Sequence, residues 1–226
     1  MAKNFRSPIL GFFMLTPLLV AMANPESETE KKIFQEPQSA ENKKNKGTEI
    51  AVLAGGCFWG MEGLYESLKG VKSVVSGYSG GSEGTATYRQ VGSGKTGHAE
   101  SIKIEYDPSV ISFEELLKIF FSVAHDPTQL NYQGPDKGSQ YRSAIFYTGE
   151  EQKNIAEEYI KVLDKEKVFS KSIVTEVSPL KGFYPAEDYH QNFMRLNPDY
   201  PYIVCWDSPK LDRLKEIFPD LLADEE

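Results

Sequence analysis

Cys57 is one of only two cysteines in 226 residues, and its neighbours single it out. It stands in Gly56-Cys57-Phe58-Trp59-Gly60, behind the apolar run Ile50-Ala51-Val52-Leu53-Ala54 and the pair Gly55-Gly56. After it, apolar residues recur at Phe58, Met61, Leu64, Tyr65 and Leu68, the spacing of one helix face. A strand, a glycine turn and a helix in that order put Cys57 in the first helical turn. Free N–H groups and the positive dipole end favour a thiolate there. Two aromatics beside a reactive sulfur suggest a nucleophile facing an apolar pocket. The plainer reading is a small buried hydrophobe or half of a structural staple. Phe58 and Trp59 cannot both follow a single helical stripe, so at least one turns from the main core, toward the Cys57 pocket.

Glu100 is the most informative acid. If a strand begins at Ala99, a period of two places Glu100 on the face of Ile102, Ile104 and Tyr106, with Lys103 and Glu105 opposite. A carboxyl on a buried face resists ionisation, and a neutral acid in a pocket can donate a proton at neutral pH. If the strand begins later, Glu100 is a solvated loop acid, and spacing alone does not choose. The three histidines, His98, His125 and His190, are too scattered for a metal motif, and no C-x-x-C is present. No metal is expected. Gly92-Ser93-Gly94-Lys95-Thr96 lacks the spacing of a phosphate loop.

These residues need elements to position them. The pattern predicts a central strand at Ile50–Ala54, a helix from Cys57 to about Leu68 closed by Gly70, and a strand at Val71–Tyr78. A glycine-rich loop runs to His98, followed by a strand over Ala99–Tyr106. Ser112 and Glu115 form a capping-box pattern ahead of a helix with Phe113, Leu116, Leu117, Phe120 and Phe121 on one face. A long loop covers 126–142, then a strand at Ala144–Tyr147. Thr148 and Glu151 are expected to cap a helix with Ile155, Ala156, Tyr159, Ile160 and Leu163 on one face. A strand at Ile173–Val177 and short helical pieces near 186–196 and 209–218 complete the chain. The order β-α-β-β-α-β predicts an α+β two-layer α/β plait, a ferredoxin-like mixed sheet with helices packed on it, plus an irregular C-terminal extension. Two long loops, 79–98 and 126–142, suggest functional segments.

Composition bounds the rest. Hydrophobic residues make up 40% and charged residues 26%, as in a globular domain, and the formal charge of −8 argues against nucleic acid or anionic membrane as the main partner. Lys3 and Arg6 precede an apolar stretch from Ile9 to Val20, and Ala21-Met22-Ala23 follows. Residues 1–23 therefore read as a secretory signal peptide, too short for a confident span, with an uncleaved anchor as the alternative. Its removal takes Lys3 and Arg6 with it and moves the charge from −8 to −10. Residues 24–47 are polar and charged and read as a flexible linker. One domain at 48–226 remains, exported to the periplasm or secreted, where Cys57 and Cys205 make a staple or a redox pair.

Several motifs together resemble one family. Gly55-Gly56-Cys57-Phe58-Trp59-Gly60, Thr87-Tyr88, Thr96-Gly97-His98-Ala99-Glu100, His125-Asp126-Pro127-Thr128-Gln129-Leu130-Asn131, Gln140-Tyr141-Arg142-Ser143 and Phe183-Tyr184-Pro185-Ala186-Glu187-Asp188-Tyr189-His190-Gln191 are similar, in order, to the class A peptide methionine sulfoxide reductases. The resemblance covers about residues 48–218. It implies that Cys57 attacks the sulfoxide sulfur and that Glu100 protonates the oxygen. Tyr88 and Tyr141 would hydrogen-bond that oxygen, Phe58 and Trp59 would hold the substrate methyl, and Asp136 would help fix the pocket. It further implies action on methionine-S-sulfoxide, free or in oxidised proteins, a sulfenic acid on Cys57, and recycling by a thioredoxin-like or dithiol reductant with no bound cofactor. A monomer is expected.

Three places depart from the family pattern. Gly92 stands where some relatives carry cysteine, which leaves Cys205 as the candidate internal resolving thiol. Tyr132 and Pro135 replace residues that are often Arg and Asn. Pro201-Tyr202-Ile203-Val204-Cys205 differs from a common Gly-Tyr-Cys tail. Two other classes remain in view. A cysteine protease would need a histidine, such as His190, to activate Cys57. A non-catalytic binding domain would use Cys57–Cys205 as a staple.

Overall fold

The computed structural model describes residues 47–224. The leader expected at 1–23, and all of the linker except Gly47, lie outside the described residues.

Strand β1 (Glu49–Gly55) leads to α1 (Phe58–Glu66) and then β2 (Val71–Ser79). The short α2 (Tyr88–Val91) sits inside the first long loop, ahead of β3 (Ala99–Tyr106). Next comes α3 (Phe113–Ile119), which continues into a π-turn at Phe120–Ala124. The second long loop folds a small hairpin, β4 (Tyr132–Gln133) with β5 (Asp136–Lys137). Then follow β6 (Ser143–Tyr147), α4 (Glu150–Lys165), β7 (Glu176–Pro179) and β8 (Phe183–Pro185). The chain closes with α5 (Phe193–Leu196), a second π-turn at Ile203–Asp207 and α6 (Ser208–Ile217).

The main sheet has six strands in the order β7-β6-β1-β3-β2-β8. It is mixed: β6 and β7 are parallel, and the other neighbours are antiparallel. Central β1 explains its own unbroken apolar run. Ala51 and Leu53 join the main core with the helices, and Val52 and Ala54 join a smaller cluster with Ala99, Ala144 and Phe146. A strand buried on both faces has no reason to alternate. On the main-core side, α1 contributes Phe58, Met61, Leu64 and Tyr65, α3 contributes Leu116 and Leu117, and α4 contributes Ala156 and Leu163.

Most expected elements form, and four differ in detail. Cys57 occupies the N-cap of α1, one residue outside the first turn. Thr148 does not cap α4. Gly149 takes that position, and Thr148 N–H donates instead to Gln152 Oε1 at 3.0 Å. The strand expected at Ile173–Val177 begins only at Glu176, because Val174 N–H donates to the Pro127 carbonyl at 2.8 Å rather than to the sheet. Strand β8 was not anticipated. It is three residues long and ends in Pro185, as an edge strand tolerates, and pairs Tyr184 with Tyr78.

Candidate active site

The turn from β1 to α1 builds the first part of the site. Gly56 has φ +97°, and a Cβ there would stand 2.7 Å from the Gln133 side chain. Only glycine meets both conditions cheaply. Gln133 in turn clasps the second loop: Asp126 N–H donates to its Oε1 at 3.0 Å, and its Nε2 donates to the Asp126 carbonyl at 3.1 Å. The loop that carries Asp136 and Tyr141 is thereby seated on the residue before the cysteine.

Cys57 is buried at the start of α1. Its thiol does not behave as the helix position alone suggests. Burial pushes its pKa well above the ordinary thiol value, and the charges of Glu100, Asp207 and Asp136 push it further. The Trp59 backbone N–H opposes them and loses. The resting group is a protonated thiol, which corrects the expectation of a standing thiolate. Cys205 is exposed, and the two cysteines are free rather than bonded, so the staple expected of a binding domain is not formed.

Glu100 is buried on β3, as a strand starting at Ala99 requires. The Phe58 backbone N–H donates to its Oε2 at 3.1 Å. The acid therefore takes one of the free N–H groups at the helix end where Cys57 sits. Burial lifts its pKa to about 8 against the lowering effect of that hydrogen bond, and Asp136 adds to the rise. Glu100 is mostly neutral at pH 7.

Phe58 turns into the core beside Tyr78, with ring centres 5.9 Å apart, and Trp59 is only partly buried. Trp59 stacks on Phe193 at 3.8 Å and 13°. Its indole N–H donates to His190 Nδ1 at 3.1 Å. That bond occupies the ring nitrogen, and burial holds His190 below its usual pKa, so it is a neutral support for Trp59. His98 is likewise engaged, accepting from Gly81 N–H at 3.2 Å through Nδ1. His125 Nδ1 pairs with the Phe120 carbonyl at 2.8 Å, and burial lowers its pKa to about 4.

Three loop residues face the same centre. Tyr88 is exposed at the start of α2, and its N–H donates to Glu187 Oε1 at 3.0 Å, while Tyr78 OH donates to Glu187 Oε2 at 3.0 Å. Tyr141 is partly buried, and both tyrosines have raised pKa values, chiefly by burial and then by the Glu100 charge. Asp136 accepts a hydrogen bond from Tyr202 OH, and burial raises its pKa. The loops are tied to one another: Ser139 Oγ donates to the Gly94 carbonyl at 2.9 Å and Arg142 Nη2 to the Gly97 carbonyl at 3.0 Å. Their length serves this joint enclosure of Cys57.

Two members of this cluster were not anticipated. Tyr202, noted only as part of a divergent tail, reaches Asp136. Asp207 is fully buried, and burial raises its pKa to about 6. Its sequence context, ahead of Ser208-Pro209, suggests a helix cap and nothing more. Yet it makes no cap bond to α6.

A thiol, a neutral acid and hydroxyl donors around a partly aromatic pocket can remove oxygen from a soft sulfur centre. The profile of the peptide methionine sulfoxide reductase family matches residues 49–221. This chain belongs to the peptide methionine sulfoxide reductase family. The chain is 54% identical over 185 residues to peptide methionine sulfoxide reductase MsrA 2 of Mesorhizobium japonicum, covering 82% of this chain and 95% of that one. Identity to a Synechocystis MsrA 2 is 56% over 177 residues, covering 78% and 83%. Among solved structures, reduced Mxr1 of Saccharomyces cerevisiae aligns at 34% identity with a TM-score of 0.61, covering 70% of this chain and 90% of that one. Methionine sulfoxide reductase A of Corynebacterium diphtheriae aligns at 36% with a TM-score of 0.58, covering 69% and 77%. As a peptide methionine sulfoxide reductase, the protein reduces methionine sulfoxide to methionine and repairs oxidised proteins. This reaction, together with the occupied Nδ1 of His190, removes the cysteine protease reading.

Proposed function

We propose that Cys57 is the nucleophile and Glu100 the acid of sulfoxide reduction. The observation that carries this is the Glu100 carboxyl, neutral near pH 7 and bonded to the Phe58 N–H at the helix end that begins with Cys57. The Cys57 sulfur attacks the sulfoxide sulfur as Glu100 gives its proton to the oxygen. The S–S bond so formed and the S–O bond then break as the hydroxyl passes to the Cys57 sulfur and the thioether departs, and the thiol proton restores Glu100 to its acid form. The balance is one thiol plus one sulfoxide giving one sulfenic acid plus one thioether.

The other roles follow the same reading. Tyr88 and Tyr141 hydrogen-bond the sulfoxide oxygen, supported by the upward push that Glu100 and Cys57 each exert on both hydroxyls, which sets all four groups around one centre. Phe58 and Trp59 hold the methyl group, supported by the braced indole. Asp136 fixes the pocket with Tyr202. The substrate is the S epimer, free or in proteins. Cys205 is the candidate resolving thiol. It is free and exposed, within reach of a thioredoxin-like reductant, whereas Cys57 is free and buried.

The leader pattern at 1–23 supports an exported, periplasmic or secreted enzyme, and the proposed enzyme is a monomer that, like its family, uses no bound cofactor. The strand order β6-β1-β3-β2, with α1 and α3 as the connecting helices, supports the two-layer plait with β7, β8 and the later short helices as an extension.

The test uses the chain lacking residues 1–23 with a chemical dithiol and each epimer of methionine sulfoxide. Turnover of the S epimer alone, abolished in Cys57→Ser, is expected. Unimpaired turnover by Cys57→Ser would remove the nucleophile assignment. Mass spectrometry after one turnover distinguishes a Cys57–Cys205 disulfide from a lone sulfenic acid, and an unchanged pattern in Cys205→Ser eliminates Cys205 as resolver.

A further inference from the structure

Asp207 is a buried carboxylate that the scheme above does not use. Its side chain is 0% exposed. Its Oδ1 stands 2.0 Å from where a Cβ on Gly60 would be, so the carboxylate fills a notch that only glycine leaves open. Lys210 Nζ approaches Oδ1 at 3.4 Å, and Oδ2 has no partner at all. In α1, Cys57 is the N-cap and Gly60 is the third helical residue. The Trp59 backbone N–H, in the first turn, bears on the Cys57 thiol, and the Asp207 charge is felt there as well. The thiol and the Asp207 carboxylate therefore converge on the same first turn.

We propose that Asp207 is a positioning residue for sulfoxide reduction: its carboxylate, wedged into the Gly60 notch, pins the C-terminal segment that carries Tyr202 across the site and places a fixed negative charge beside the reacting sulfur. The proposal rests on Cys57 being the nucleophile. Two consequences follow from the charge. A nearby anion disfavours the thiolate, so Asp207 holds Cys57 protonated between turnovers, as the direction of its influence on the thiol shows. The same anion favours the positive charge that develops on the substrate sulfur as its oxygen is protonated and the thiol attacks. Other titratable groups facing Cys57 are Glu100 from β3, neutral near pH 7, Asp136 from β5, and the hydroxyls of Tyr88, Tyr141 and Tyr202. The groups facing Asp207 are Lys210, which favours its ionised form, Asp136, which disfavours it, and the Cys57 thiol and Tyr202 hydroxyl.

The experiment follows carbamidomethylation of Cys57 against pH in the leaderless protein, with peptide mass spectrometry to separate it from Cys205, beside steady-state turnover. In Asp207→Asn, alkylation at pH 7 is expected to rise roughly three- to tenfold, as a thiol pKa lowered by half to one unit requires. Turnover is expected to move the other way, with kcat/KM falling by about tenfold, a barrier change of the order of one hydrogen-bonded charge. Gly60→Ala, which evicts the carboxylate without removing it, should reproduce both changes. Lys210→Gln, measured at pH 8 where Asp207 is ionised, should slow alkylation. A purely structural role would lower Tm and turnover while leaving the alkylation profile unmoved, and that result in Asp207→Asn or Gly60→Ala overturns the proposal. Faster alkylation in Lys210→Gln overturns it as well. If Cys57→Ser keeps turnover, the failure lies instead in the nucleophile assignment, because the alkylation readout does not involve substrate.

Discussion

Glu100 and Asp207 are two buried carboxyls beside one sulfur, brought by very different regions. Glu100 comes from β3, near the centre of the sheet, where period-two alternation places it and the Phe58 N–H holds it at 3.1 Å. Asp207 comes from a π-turn at the end of a segment of short elements, and one of its oxygens has no partner. The sheet holds a buried carboxyl, neutral near pH 7, at a place set by the register of β3. The C-terminal segment supplies a charge whose place depends on a notch in another helix. On the proposed scheme, a regular element carries the acid and the appended segment adjusts its surroundings.

The largest expected effect lies on the sheet side. Glu100→Gln should lower kcat by roughly 10²- to 10⁴-fold, the usual contribution of a positioned general acid. In the unaltered enzyme, activity requires protonated Glu100, so kcat/KM should fall as pH rises through about 8. That limb should vanish in the variant, and its survival would break the comparison.

Gly56→Ala comes next. It imposes a side chain at φ +97° and on Gln133, and should cost about 1–3 kcal/mol by overpacking, read as a lower denaturant midpoint. The displaced loop carries Asp136 and Tyr141, so turnover should fall beyond what stability explains. On the C-terminal side, Tyr202→Phe removes one hydrogen bond to Asp136 and should cost about 0.5–1.5 kcal/mol, seen mainly as a raised KM.

The mildest effect is on stability against pH. Burial raises Asp207 to about 6, Glu62 to about 7 and Glu100 to about 8. The folded state then binds more protons than the unfolded state between about pH 4 and 8. These groups favour folding most below their ordinary values, and that contribution is lost as pH climbs through the raised ones. Tm should decline over this window. Glu62→Gln should flatten the part between about pH 4.5 and 7. Glu62 accepts from the Asn192 N–H at 2.8 Å, away from Cys57, and so separates fold from catalysis.

Much of this was legible in the residues. The apolar run, the glycine pair and the helical spacing after Cys57 located β1 and α1, because local periodicity reflects burial that every neighbour shares. Alternation along Ala99–Tyr106 left two places for Glu100, and the start of β3 at Ala99 chose the inner face. The resting charge of Cys57 was not legible. The helix end favours a thiolate, but desolvation and three carboxyls come from contacts between distant segments, and they win. Strand β8 escaped because three residues ending in proline carry no periodicity.

By itself, the sequence determined the strands and helices of the core, the cysteine at a helix start and an acid at the edge of a strand, which the start of β3 at Ala99 then placed on the buried face. Each follows from patterns within a few residues of one another. Tertiary structure decided the protonation of that cysteine, the joining of two loops around it, and the arrival of Tyr202 and Asp207. Those depend on which remote groups share a dry volume, where a charge acts at full strength and a missing side chain at Gly60 becomes a seat for a carboxylate.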